Sequence, residues 1–395
     1  VDLEIHGYRA VRDLSLRLGR LTALVGPNGC GKSTVIDALG HLGKLRKVLG
    51  APHSRWDAAV SGLQRGSLRA TEVWHGADQA SVALRFGDRT RELVVAPTDD
   101  GDLDLAVALG HPGGAPAWFE FPRLNGRAQP RTASGPASKM EDLLRAARPH
   151  LDALSVGTLR PEARALAAIC SIESTEPRMR RSGAGLAGVL HAWRSNNDAR
   201  FDRVVDGLRR IMPRVKGLAV PLREVPEDAD FDEASTEPTA SASPTQRRKA
   251  VGAGLRVEFT DVGGVPAEGL STGTLKLVGI LTSLWHGGDA DALLLGLDDL
   301  DADLHPTAQL TLIDYLRTML DDRPELSLIL TTHSPLLLNK LAEDEVRVMA
   351  VGADGAAQVR SLTEAHDWKS WSDAMLPGDY WWYKGEAWVA SDARE

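Results

Sequence analysis

Apolar positions along this chain follow three patterns. LTALV at 21–25, ALLLG at 292–296 and LSLILT at 326–331 are dense apolar runs without strict alternation, which predicts strands buried on both faces of a parallel sheet. VALRF, RELVVAP, LDLAVAL and WFEF, within 72–122, are short runs separated by turn residues; they predict an antiparallel sheet. Helical spacing marks VIDALGHLGKL from 35, EDLLRAARPHL from 141, EARALAAI from 162, DRVVDGLRRIM from 202, LSTGTLKLVGILTSL from 270 and TAQLTLIDYLRTML from 307. No heptad run is long enough for extended coiled-coil arms. Strands and helices in this order predict an α/β fold.

Two loops at strand ends carry candidate chemistry. GPNGCGKST, residues 26–34, follows LTALV and precedes a helix. It satisfies G-x-x-x-x-G-K-[ST], in which successive backbone N–H groups and a helix N-terminus cradle phosphate. Gly26, Gly29 and Gly31 permit the required backbone, Lys32 would reach the β and γ phosphates of ATP, and the Ser33 hydroxyl would sit on Mg²⁺. Asn28, Gly29, Cys30, Gly31, Lys32, Ser33 and Thr34 form the expected nucleotide contact. Cys30 stands just ahead of a helix N-terminus, where a thiol pKa tends to fall; the plainer reading is a small residue that fits.

The second loop, LDDLDADLHP at 297–306, directly follows ALLLG. Ligands of open α/β sheets bind at the strands' carboxyl ends. Asp298 would hold the magnesium through water from the side opposite Ser33, and Asp299 stands beside it. Asp303 and His305 read as a turn and cap, and Pro306 as a helix start.

The chain's 395 residues, 43% hydrophobic and 25% charged, suffice for two domains or one elaborated one. No apolar run approaches a bilayer span, and VDLEIHGYRA lacks a signal-peptide layout, so the expected location is cytoplasmic, with no membrane partner. Two cysteines, Cys30 and Cys170, form no disulfide framework. A net charge of −8 argues against a globally basic nucleic-acid binder. The local clusters RMRRS at 178–182 and RRK at 247–249 leave DNA contact open, although such clusters are more often solvated surface.

The ordered set GPNGCGKST, LSTGT, LLLGLDDLDADLHP and TTHSP resembles the ABC-type ATPases and, within them, the OLD/RecF-like group of soluble AAA ATP-binding proteins. The likeness includes LEIHGYRAVRDLSLRLGRLTALVGPNG and covers most of 1–350, most weakly from about 50 to 150. It implies an ABC-type P-loop core of mixed sheet plus flanking antiparallel sheet, with an inserted, mostly helical lobe. The implied roles are Ser271 and Gly273 as the signature turn that contacts the γ-phosphate held by an opposite subunit, Asp298 as the Walker B carboxylate, Asp299 at the catalytic-base position and His333 as the switch histidine. Ser271 also reads as a simple helix N-cap, and His333 as a polar residue before Pro335. The implied cofactors are ATP and Mg²⁺, and the implied partners are a second copy in a head-to-tail homodimer and a separate effector such as a nuclease. The group usually has glutamate where Asp299 stands, and aspartate is shorter by about 1.5 Å of reach; slow hydrolysis is expected.

The expected divisions are 1–135, an ATPase lobe with the antiparallel strands; 136–225, a helical insertion; 226–250, a mobile acidic and Ser/Thr/Pro-rich loop; 251–350, the second ATPase lobe; and 351–395, an aromatic tail. That tail holds five of the chain's ten tryptophans, which either pack on the core or anchor a partner. The implied function is an ATP-gated subunit in phage defence or DNA processing. A RecF-like repair ATPase is the alternative, and a transporter's nucleotide-binding subunit fits less well.

Overall fold

The computed structural model describes residues 1–49, 77, 79–86, 89–97, 103–110, 117–121, 154–172, 177–226, 249–286 and 292–391, with three two-residue strands between 123 and 132. The expected helix at 141–151, the acidic loop from 227 and the arginines of RRK lie outside the described residues. The chain forms two compact units, residues 1–158, 289–301 and 320–395 in one and 159–288 and 302–319 in the other. The tail from 351 thus belongs to the first unit, and the LSTGT helix to the second.

In the first unit, β1 (Asp2–Tyr8) and β2 (Val11–Arg17) form an antiparallel hairpin. They edge a seven-stranded sheet that continues from β1 through Ala80–Phe86, Arg89–Pro97, Leu103–Gly110, Ala117–Phe121 and Arg131–Thr132. The described pairings are all antiparallel. β3 (Leu21–Val25) is buried at every position, as its unbroken apolar run requires. It lies in a six-stranded sheet with β4 (Ala292–Leu297), β5 (Leu326–Thr332) and β6 (Val346–Val351). The order is Leu154–Leu159, β4, β5, β3, β6, Ala357–Ser361. β4, β5, β3 and β6 run parallel, and β6 turns back on Ala357–Ser361 as an antiparallel edge. The glycine loop after β3 and the acidic loop after β4 therefore leave at the same end of the sheet, flanking β5. From the loop, α1 (Lys32–Leu49) runs back along the sheet and buries Val35, Ile36, Leu39 and Leu42.

In the second unit, a helix over Ala199–Ile211 buries Phe201, Val204, Leu208 and Ile211 at helical spacing. It packs with α2 (Thr272–His286), and its Gly207 lies against Tyr315 of α3 (Pro306–Asp322). Two small antiparallel sheets, of three strands each, complete this unit. Arg200 lies over the face of Trp193 at 4.8 Å and Arg203 over that of Trp285 at 4.4 Å. No helix among the described residues is long and apolar enough to cross a membrane.

The aromatic tail both packs and projects. Trp368, Tyr380 and Val389 are buried, whereas Trp382 and Tyr383 are 77% and 67% exposed. α4 (Pro335–Leu338) is followed by Asn339, whose Oδ1 accepts from the backbone N–H groups of Gly378 and Asp379, at the start of α5 (Pro377–Lys384), at 2.8 and 3.1 Å. Tyr380 Oη and Lys384 Nζ both donate to Asp367, at 2.6 and 2.7 Å, and hold its carboxyl down at about 2. The Trp368 indole donates to Glu343. Ending the chain at residue 366 would uncover β6 and the segment after His333; such a protein is expected to be insoluble or to melt several degrees lower, by thermal scanning. A soluble truncation with unchanged melting would show that the tail is an appendage.

Candidate functional site

The glycine loop adopts the conformation its composition allows. Gly26, Gly29 and Gly31 have φ of +153°, +80° and +100°. At Gly26 a Cβ would lie 2.2 Å from the Met349 carbonyl oxygen, so a side chain is excluded by space as well as by φ. Lys32, 5% exposed, donates from Nζ to the carbonyls of Gly26 and Pro27 at 2.8 Å each. A buried ammonium held by loop carbonyls is one that phosphate oxygens can recruit. Asn28 and Gly29 are exposed at the crest of the loop, and Ser33 and Thr34 are half-buried on the first turn of α1.

The acidic loop meets this turn directly. Ser33 Oγ donates to Asp298 Oδ1 at 3.1 Å, which leaves the serine lone pairs for a cation. Thr331 Oγ1, at the end of β5, donates to the same carboxylate oxygen at 2.8 Å and accepts the Asp299 N–H at 2.7 Å. Asp298 is 2% exposed. The His333 N–H donates to Asp301 Oδ1 at 3.1 Å, so the ends of β4 and β5 are joined again two residues further on. His333 itself is exposed.

Asp299 has φ of +50°. Left-handed backbone is tolerated by aspartate and asparagine better than by most other side chains, because a short polar group can bond locally. This gives a physical reason for aspartate at that turn.

Among the described residues no group of three or more His, Cys, Asp or Glu could cage a metal ion. Magnesium keeps waters and takes one or two protein oxygens together with substrate phosphates. The donor set of Ser33, Asp298, Lys32 and the glycine loop fits a magnesium nucleotide.

Cys30 departs from the tendency expected of its position. Its thiol is fully buried, and burial pushes its pKa up, outweighing Lys32, whose Nζ lies 3.7 Å from Sγ. The residue is a small filler beneath the loop and not a reactive thiolate.

Ser271 and Gly273 lie in the second unit. Ser271 is exposed and caps α2, its Oγ accepting from Thr274 N at 3.2 Å. Gly273 is required by close approach, since a Cβ there would sit 2.4 Å from the Asp303 carbonyl oxygen. In the same unit Lys276 Nζ donates to Ala302 O at 3.0 Å. His305 caps α3, its Nδ1 accepting from Thr307 N at 3.3 Å, while Asp303 takes a left-handed turn residue's φ of +63°.

Two further features were not singled out in the sequence. Arg9, at the tip of the β1–β2 hairpin with φ of +48°, pairs with Asp37 of α1. Tyr8 Oη and His41 Nε2 are hydrogen-bonded at 2.8 Å. Asp37 and His41 stand four apart, on one face of α1; two buried polar residues at that spacing were the available signal. The other is Thr331.

A family model described as "AAA domain, putative AbiEii toxin, Type IV TA system" matches residues 173–339, and a second AAA-domain model matches residues 2–41. The OLD nuclease of Thermus scotoductus is 49% identical over 37 residues, and the match spans 9% of this chain and 7% of that protein. An SMC head bound to the C-terminal winged-helix domain of ScpA is similar over 92% of this chain and 98% of its own, at 18% identity and a TM-score of 0.48. The SMC head domain from Thermotoga maritima is similar over 91% and 97%, at 12% identity and a TM-score of 0.39. Two AAA-domain models thus match separate stretches of this chain, one over the strands and glycine loop at its start and one over the segment that carries the acidic loop, and the structure sets Ser33 of the first against Asp298 of the second.

Proposed function

We propose that this protein is an ATP-binding, slowly ATP-hydrolysing subunit that closes into a head-to-tail homodimer around two nucleotides and so gates a separate effector. The observation that carries this reading is the convergence of Ser33 and Thr331, from α1 and β5, on one buried oxygen of Asp298 beside the loop that holds Lys32. The loop amides and Lys32 bind the β and γ phosphates, the lysine exchanging carbonyl for phosphate oxygens. Magnesium, when bound, neutralises charge on those phosphates, and Ser33 and Asp298 are the residues that hold it. Asp299 takes the proton of the attacking water, and His333, exposed at the end of β5, contacts the γ-phosphate.

Ser271, exposed at the N-terminus of a 15-residue helix, presents its hydroxyl and the helix dipole to the γ-phosphate of the other copy. The matched family's description as a putative toxin, and the name of the nuclease relative, support a role in phage defence or DNA processing. Light scattering tests the assembly. The expected result is a dimer with Mg·ATP and a monomer with ADP, while Ser271→Arg still binds ATP but stays monomeric. A Ser271→Arg protein that dimerises like wild type would contradict the sandwich.

A further inference from the structure

We infer that the Thr331 hydroxyl is a positioning group of the hydrolytic site, a single atom that orients the Asp298 carboxylate and fixes the backbone of Asp299. This rests on the nucleotide reading above and adds a residue to it.

Thr331 is completely buried at the end of an apolar parallel strand. Valine has nearly the same shape, is equally at home in a strand and would carry no hydroxyl to desolvate. What threonine adds must therefore lie in its bonds. Their directions follow from chemistry. The Asp299 N–H can only donate, so Oγ1 accepts from it at 2.7 Å. The hydroxyl's one hydrogen is then left for Asp298 Oδ1, at 2.8 Å.

The next amide is tied to the same residue, since Leu300 N donates to the Thr331 carbonyl at 2.9 Å. Two consecutive amides of the acidic loop are thus fastened to Thr331 where Asp299 takes its left-handed φ of +50°. That conformation would otherwise be free to relax toward ordinary backbone, carrying the Asp299 carboxylate away from the water it is to deprotonate. Ser33 reaches the same oxygen of Asp298, but from the half-buried side where a nucleotide enters. Thr331 holds it from the core, so its bond persists whatever the serine hydroxyl contacts.

The test compares Thr331→Val, which keeps shape and removes both bonds, with Thr331→Ser, which keeps the hydroxyl. Thr331→Val is expected to lower kcat by about 10- to 100-fold, in line with a displacement of order 1 Å. The half-saturating Mg²⁺ concentration should rise several-fold, while affinity for ATP without metal stays within about twofold, because the glycine loop is untouched. Exchange of the amides in 298–301, followed by mass spectrometry without nucleotide, should quicken by about tenfold or more. Thr331→Ser should recover most of each effect. The inference is overturned if Thr331→Val keeps wild-type kcat, Mg²⁺ dependence and exchange, or if both variants lose metal-free ATP affinity as strongly as turnover. A wild-type protein that binds no ATP would instead defeat the nucleotide reading, and the exchange comparison would still decide whether Thr331 holds the loop.

Discussion

Asp298→Ala is expected to remove magnesium-dependent ATP binding and to slow hydrolysis on the order of a thousandfold, the scale seen when one preorganised electrostatic group is lost from a site. Asp298 is the buried acceptor on which Ser33 and Thr331 both converge. Alanine takes away the anion proposed to face the cation, and it also leaves the Ser33 and Thr331 hydroxyls without this acceptor. The buried Thr331 donor so stranded costs about 1–3 kcal/mol, so the melting temperature should fall as well. Asp298→Asn separates the two effects. Its amide oxygen can still accept from Thr331, which spares stability, but it lacks the charge, so metal-dependent binding and turnover are lost. Titration of ATP at fixed and zero magnesium, with single-turnover hydrolysis and thermal scanning, reads all three quantities. Asp298→Asn with wild-type magnesium dependence would show that this carboxylate is only a structural acceptor.

Asp299 carries the second large effect. Asp299→Asn removes the carboxylate proposed as the proton acceptor and is expected to slow hydrolysis by about 10²- to 10⁴-fold. ATP binding should persist, with a long-lived nucleotide-bound dimer. Asp299→Glu is expected to go the other way and speed single-turnover hydrolysis, because the added methylene brings the carboxylate closer to the water by about 1.5 Å. The left-handed φ of +50° puts a cost on that gain. Glutamate tolerates such backbone less well than aspartate, at about 1–2 kcal/mol for an ordinary residue. The variant should therefore be faster and less stable. An unchanged rate with both substitutions would remove Asp299 from the base position.

Much of this architecture was legible in the sequence because it is written locally. An unbroken apolar pentapeptide followed by G-x-x-x-x-G-K-S specifies β3, the phosphate loop and α1 without reference to anything distant. ALLLG followed by two aspartates likewise placed an acidic turn at the end of β4, and LSLILT gave β5. What could not be read are pairings across long sequence separations. Thr331 looks like an ordinary strand residue until its partners 32 and 33 positions away are known. The Arg9–Asp37 pair joins a hairpin tip to a helix 28 residues on. Cys30 shows the converse: position ahead of a helix suggested a lowered pKa, but burial, which sequence does not report, pushes it up. At Ser271 the local reading and the implied one are compatible, since a hydroxyl can cap its own helix and still face outward.

The tail makes the same point about packing. Counting tryptophans could not decide between a core and a docking surface, because residues a few positions apart do both. Trp368 is buried and bonded to Glu343, whereas Trp382 and Tyr383 project from the short helix that Asn339 caps.

The loop at 26–34 is proposed to hold a nucleotide whose metal Asp298 completes. Calorimetric titration of the intact chain with ATP, with and without Mg²⁺, beside Lys32→Ala, tests it most directly. Saturable binding at one site per chain is expected, tightened by magnesium, and weakened by at least about 100-fold in Lys32→Ala through loss of a charge-assisted contact to phosphate. Binding that Lys32→Ala leaves unchanged, or a wild-type chain that takes up no ATP at any magnesium concentration, would contradict it.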